Sequence, residues 1–385
     1  MTPQVQSEAE QLKRQIYLSL SPIRDLLEDD SVTDIVIMGY RNVVAKRVGS
    51  GGLQKISTGW ETEQDLVTAC SQVGRSMHRP ISSEQPLLDA RLPDGSRINI
   101  VFPPCHMMEG PCISIRKFPK NRLTAEKLLE KGSIDQTGLE VLRAAVEGGK
   151  NLLISGGTGS GKTTLLNVLA SYIPKGDRVI SIEDSRELQL EHPLWSALEC
   201  RQKLYETDVE IGLARLTVNA LRMFPRWIIL GEVRGPEAYE LMRAFNTGHS
   251  GMATIHANDV AGALYALETL SMAAVDTRVE HLRQYISRAV QVVVQIARFP
   301  DDTRRVVDVT EIAGLDEGMY QLNRLYWYDV QEFTAGRVVG EFRADHMPTF
   351  RRELRAFGAA MPQSWDETNA GIRAILQQQA EGGEY

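Results

Sequence analysis

The sequence predicts an α/β fold built on a mostly parallel sheet and preceded by a smaller α+β domain, and three observations predict it. From Leu152 onward, apolar strand-like runs alternate with helical patterns: LLIS, TTLLNVLASY, RVISI, residues 210–223, WIIL, PEAYELMRAF, MATI and AGALYALETL. The first run passes into its helix through a glycine-rich loop, GGTGSGKTT. Before residue 118 the pattern differs, with alternating strands joined by turns and only a few helical stretches.

Composition bounds the rest. The chain has 385 residues, enough for two or three domains and more than one core. No apolar run approaches the ~18 residues of a membrane span, since segments such as AVQVVVQIARF are broken by polar residues. The polar start MTPQVQSEAEQLKRQ is unlike a secretory signal, so a cytoplasmic protein is expected, reaching membranes only through partners. Cys70, Cys105, Cys112 and Cys200 form no CxxC pair, which argues against a zinc site or a disulfide scaffold. A net charge of −7 gives no global nucleic-acid signal.

In chain order, the first 20 residues read as a charged amphipathic helix, and Ser21 and Pro22 as the cap and first position of another. TDIVIM and NVVAKR read as strands around a turn at residues 39–42, and residues 61–77 as a helix with an apolar face of Leu66, Ala69, Cys70 and Val73. LLDARLPDGSRINIV is a hairpin turning at Pro93, Asp94 and Gly95, followed by the strand CISIRKF. These elements make a domain over residues 1–118. A linker with one short helix is expected over 119–133, and Ser133 with Gln136 has the capping-box pattern for the helix that ends at Gly148 and Gly149. The alternating domain then occupies 134–330, closing with strands near 290–298, 304–312 and 319–328. Residues 331–385 form a carboxyl-terminal extension with a strand around 337–343.

The loop carries the most specific chemistry. Gly156, Gly157, Thr158, Gly159, Ser160, Gly161, Lys162 and Thr163 fit GxxxxGK[ST], and Thr164 follows. Glycines let backbone N–H groups curl around phosphates, and the helix N-terminus adds positive potential. Lys162 reaches the β- and γ-phosphates of a nucleotide, and Thr163 offers its hydroxyl to Mg²⁺.

In a parallel α/β sheet the ligand lies at the carboxyl ends of the strands. Glu183 and Asp184 follow RVISI, Glu232 follows WIILG and His256 follows MATI. Each carboxylate could position Mg²⁺ or the attacking water, or simply cap a helix. His256 and His249 could read the γ-phosphate or be structural. Arg91, Arg97, Arg116 and Lys117 sit on strands of the first domain, as a solvated face or as groups reaching a nucleotide.

GGTGSGKTT, SIEDSRELQL, IILGEVRGPEA and NTGHSGMATIHAN together resemble the Walker A, Asp-box, Walker B and His-box segments of the secretion ATPases of type II and type IV secretion systems and of type IV and Tad pili. The likeness spans about residues 22–360. DARLPDGSRIN, SIRKF and VVGEFRADHMPTFRRELRAFG look most like the Tad pilus assembly branch. Two features depart from that branch: His249 and His256 are spaced as in pilus retraction and type II enzymes, and Arg226 in MFPRW replaces the usual acidic residue.

The resemblance implies a RecA-like ATPase domain behind the smaller domain, a hexameric ring, ATP with Mg²⁺, and an inner-membrane pilus or secretion platform as partner. It implies that Lys162 and Thr163 hold phosphate and Mg²⁺, that Glu183 activates water, and that Glu232 acts near Mg²⁺ and the γ-phosphate. It further implies that His256 senses the γ-phosphate and that Arg97 and Arg116 close onto the nucleotide. The expected function is an ATP-hydrolysing motor for pilus assembly or secretion. Retraction or conjugative transfer is the alternative within the superfamily, and a RecA-like nucleic-acid motor or a non-hydrolysing switch the alternatives outside it.

Overall fold

In the computed structural model, residues 3–50, 52–118, 123–201, 209–344 and 346–359 are described. The chain divides into two compact units, Met1–Arg122 and Leu123–Tyr385.

The first unit contains the helices α1 (Pro3–Ser19), α2 (Arg24–Glu28) and α3 (Glu63–Ser76). Its strands are β1 (Val32–Met38), β2 (Val43–Arg47), β3 (Gln54–Ile56), β4 (Leu87–Arg91), β5 (Arg97–Val101) and β6 (Cys112–Arg116). They form one antiparallel sheet in the order β3-β2-β1-β6-β5-β4. Strand alternation decides its faces: Ile35, Ile98 and Ile115 enter the core with Leu66, Cys70 and Val73 of α3, and their neighbours Asp34, Arg97 and Arg116 turn to the opposite face. Thr62 caps α3 in a reciprocal box with Asp65. Ser21 makes no side-chain cap; it lies with Pro22 inside a 3₁₀ turn, Ser21–Ile23, so the expected cap is corrected.

The second unit opens with α4 (Ala125–Glu130) and α5 (Gln136–Glu147). Leu128 of α4 lies in this unit's core, so the stretch expected as a linker is packed from there on. Asp135, not Ser133, caps α5, accepting from the Gly138 N–H at 2.8 Å and from the Tyr326 hydroxyl at 2.9 Å. The choice follows burial: Ser133 is 6% exposed, whereas Asp135 stands beside the Tyr326 phenol, which its charge and the desolvation of the ring push far above the ordinary range.

The chain then runs through β7 (Leu152–Gly156), α6 (Lys162–Ala170), β8 (Val179–Glu183), β9 (Trp195–Glu199), α7 (Leu213–Ala220), β10 (Trp227–Val233), α8 (Glu237–Asn246), β11 (Ser250–Ile255), α9 (Val260–Met272) and α10 (Val279–Ala289), with the expected alternation apart from β9. It ends with β12 (Val292–Arg298), β13 (Arg304–Asp316), β14 (Met319–Thr334), β15 (Arg337–Ala344) and α11 (Arg351–Leu354). The nine-stranded sheet runs β15-β14-β13-β12-β7-β11-β10-β8-β9, parallel from β12 to β9 and antiparallel from β12 to β15. The central strands read as unbroken apolar runs because helices cover both faces: Leu152 and Ile154 join one cluster with α5 and α6, and Leu153 joins the other with α8, α9 and α10.

β9 was not expected; its WSALE sequence is half exposed, as an edge strand tolerates, and gives little apolar signal. β14 runs unbroken through residue 330. The carboxyl-terminal residues Phe350, Leu354 and Ala359 pack into the core of this unit, and the rest of the expected extension, 360–385, lies outside the described residues.

Candidate nucleotide site

The loop between β7 and α6 has the backbone that its glycines suggest. Gly159 and Gly161 adopt φ of +71° and +105°, a region that side chains disfavour. Gly156 is required for a second reason: a Cβ there would lie 2.3 Å from the Ile296 carbonyl oxygen and 2.5 Å from Ser160 Oγ. A Cβ at Gly157 would meet nothing within 4 Å, so this side of the loop faces open space a phosphate could fill. Thr158 and Gly159 are exposed, Thr164 is half-buried in α6, and the Ser160 hydroxyl is buried with no hydrogen-bond partner among the described residues. The α6 axis begins at Lys162, so its first N–H groups are directed out of the helix at the loop.

Lys162 folds back, its Nζ donating to the Gly156 and Gly157 carbonyls at 2.8 and 3.1 Å. Burial lowers its pKa below the ordinary lysine value, the Glu232 carboxylate opposes that shift and the Arg234 guanidinium reinforces it. An anion in the cradle would favour the charged form and draw Nζ from the carbonyls.

Thr163 Oγ1 lies 3.5 Å from Glu187 Oε2. Glu187 was not singled out in the sequence, although it stands four residues after Glu183 in the same segment. Glu183 is the last residue of β8 and is 2% exposed. Its Oε1 accepts from the backbone N–H groups of Glu187 and Leu188 at 2.7 and 2.9 Å, so this carboxylate shapes the turn that carries Glu187 toward Thr163. A Cβ at Gly231 of β10 would lie 2.8 Å from Glu183 Cγ, so only glycine lets the two strands close here.

Glu232 lies within β10, one residue from its end. Arg234 Nε donates to Glu232 Oε2 at 2.8 Å, and Arg234 Nη1 stands 3.7 Å from Asp184 Oδ2, bridging the ends of β10 and β8. The Arg234 and Gly235 N–H groups donate to Oε1 of the buried Glu237 at 2.6 and 2.8 Å, fixing the turn into α8. Arg234 was also missed; its signal is its place two residues after Glu232 at a strand end.

His256 follows β11 directly and is exposed. The adjacent Ala257 carbonyl accepts from Ser155 Oγ of β7 at 3.5 Å and Gln295 Nε2 of β12 at 3.2 Å, which places His256 at the loop end of the sheet. His249 is at the other end of β11, about 20 Å away along the strand. Its Nδ1 contacts the Ala244 carbonyl at 3.1 Å, which favours the structural one of its two readings.

In the first unit, Arg91, Arg97 and Arg116 are register partners across β4, β5 and β6 and share one face; Arg116 Nε donates to Asp34 Oδ1 at 3.3 Å. Lys117, by contrast, donates through Nζ to the Leu26 and Asp29 carbonyls at 3.1 and 2.6 Å.

The donor set around Thr163 is all oxygen, with Glu187 close and Glu232 near the end of β10, two strands from β7. Hydroxyl and carboxylate oxygens suit Mg²⁺, which binds few protein groups alongside substrate phosphates. Among the described residues no cluster of three or more His, Cys, Asp or Glu forms an all-protein metal cage, and no helix is long and apolar enough to cross a membrane.

The family model for type II/IV secretion system protein matches residues 60–324. The conjugal transfer protein TrbB of Rhizobium radiobacter is 31% identical over 300 residues, covering 77% of this chain and 88% of TrbB. The type IV secretion system protein PtlH of Bordetella pertussis is 33% identical over 296 residues, covering 69% and 86%. The chain spans only 47% and 32% of two longer relatives, uncharacterized proteins of Methanocaldococcus jannaschii. The Legionella pneumophila ATPase DotB shares the fold at a TM-score of 0.57 and 20% identity, over 78% of this chain and 81% of DotB. The chain belongs to the type II/IV secretion system protein family.

Proposed function

We propose that the chain is an ATP-hydrolysing motor subunit that powers a pilus or secretion machine. One observation carries the reading: the glycine loop, Glu183 with Glu187, Glu232 with Arg234, and His256 all converge at the carboxyl ends of adjacent parallel strands. Such convergence is what phosphoryl transfer needs, because the reaction asks for positioning and charge compensation more than covalent help.

Lys162 and the loop N–H groups bind the phosphates. Mg²⁺, held by Thr163 and through water by Glu232, would compensate phosphate charge when bound. Water activation, which the resemblance gives to Glu183, is assigned here to Glu187 beside Thr163, because Glu183 is buried with its Oε1 engaged by two backbone N–H groups and so acts by positioning Glu187. Arg234 holds the Glu232 carboxylate in place, and His256 senses the γ-phosphate. Arg97 and Arg116 are the basic groups proposed to compensate phosphate charge during turnover. The product is ADP with phosphate, and turnover is coupled to movement of the two units. A homo-hexameric ring, working from the cytoplasm on an inner-membrane platform, completes the proposal; the names of TrbB and PtlH, for conjugal transfer and type IV secretion, support the secretion role.

The test is phosphate release from ATP by the purified full chain, alone, with DNA or RNA, and with inner-membrane vesicles carrying platform proteins. Stimulation by the vesicles is expected. Stimulation by nucleic acid and not by vesicles would replace the proposal with a nucleic-acid motor.

A further inference from the structure

The sheet places carboxylates on one side of the phosphate loop and arginines on the other. β7, which feeds the loop, has β11, β10 and β8 to one side, and these carry Glu232 and Glu183. On its other side β12 pairs directly with β7, with Ile296 opposite Gly156, so Arg298 at the end of β12 comes level with the loop. A short turn returns the chain to Arg304, the register partner of Arg298. Arg304 Nε donates to the Gly159 carbonyl at 2.9 Å, and a Cβ at Gly159 would stand 4.0 Å from Arg298 Nη1.

Arg298 is turned back on its own hairpin, its Nε donating to Asp302 Oδ1 at 2.8 Å. That pair is partly exposed on both sides, with side-chain exposures of 37% and 45%. An exposed ion pair of this kind contributes little, whereas a bidentate arginine–phosphate contact is among the strong charge-assisted bonds. Exchange of Asp302 for a nucleotide phosphate therefore favours the bound state.

We propose that the β12–β13 hairpin supplies the α-phosphate and ribose half of the nucleotide site, with Arg298 as a binding residue and Arg304 as a positioning residue that holds the loop tip at Gly159. The assignment of the α-phosphate follows from direction: a nucleotide whose γ-phosphate lies toward Glu232 has its nucleoside end toward β12. The inference rests on the ATP reading above and adds which residues grip the part of the nucleotide common to ATP and ADP.

The experiment measures fluorescent ADP and ATP-analogue affinity and steady-state turnover in the full chain. Arg298→Gln is expected to weaken ADP and ATP alike by about tenfold and to raise KM for ATP by a similar factor. Asp302→Asn, which frees Arg298, is expected to tighten both by about threefold. Arg304→Ala is expected to raise both dissociation constants with kcat kept, and Arg304→Lys to restore them. Unchanged affinities in Arg298→Gln, or a loss confined to ATP, would overturn the assignment while leaving the motor reading in place. A wild-type chain that binds neither nucleotide would instead overturn the motor reading.

Discussion

Replacing Glu183 with alanine separates its structural part in the site from the chemistry proposed for Glu187. The carboxylate is 2% exposed and accepts two backbone N–H groups, one of them from the fully buried Leu188. Hydrogen bonds to a charged group contribute about 1.5–3 kcal/mol each, and a buried N–H left without a partner costs about 1–3 kcal/mol. Glu183→Ala is therefore expected to destabilise the second unit by about 3–5 kcal/mol, allowing for partial relaxation. At about 2–4 °C per kcal/mol for a unit of this size, the melting temperature falls by about 10 °C. Glu183→Gln keeps an acceptor in the same place and should lose about half as much. The assay is thermal unfolding without nucleotide, beside Glu187→Gln, which is half-buried and should melt within about 2 °C of wild type but turn over ATP about a hundredfold more slowly. A Glu183→Ala protein melting within about 2 °C of wild type would refute the positioning argument.

Three further expectations concern the same strand ends and the first unit. Gly156→Ala forces β7 and β12 apart, since its Cβ would sit 2.3 Å from the Ile296 carbonyl; loss of nucleotide binding by equilibrium titration is expected, and wild-type affinity would count against the loop geometry. Arg234→Ala breaks an ion pair whose arginine side chain is 57% exposed, so stability by denaturant titration should change by less than about 1 kcal/mol, while steady-state turnover falls about tenfold. On its proposed role, Arg116→Ala should keep ATP binding and slow hydrolysis; unchanged hydrolysis would refute that role.

The central strands and the loop were legible because their signals are local. LLIS and WIIL are apolar throughout since both sheet faces are covered, and GGTGSGKTT needs its glycines for backbone reasons that any nearby fold must respect. Parallel topology then located Glu183, Glu232 and His256 at one end of the sheet. What escaped was set by partners distant in sequence. Asp135 displaced Ser133 as the α5 cap because Tyr326, 191 residues later, meets it. Glu187 and Arg234 look like surface charges in one dimension and acquire roles only when the turn after β8 and the end of β10 lie side by side. His249 shared a motif with His256, yet strand length puts the two at opposite ends of β11. β9 lacked an apolar pattern because it is an edge.

Phosphate release from ATP, compared between the full-length wild type and Lys162→Ala, tests the central claim most directly. The lysine's protein contacts in this state are two loop carbonyls, so the variant should fold and melt near wild type. Steady turnover by the wild type and a loss of about a hundredfold or more in Lys162→Ala are predicted. Equal turnover by both proteins, or a wild type that binds no ATP, would contradict it.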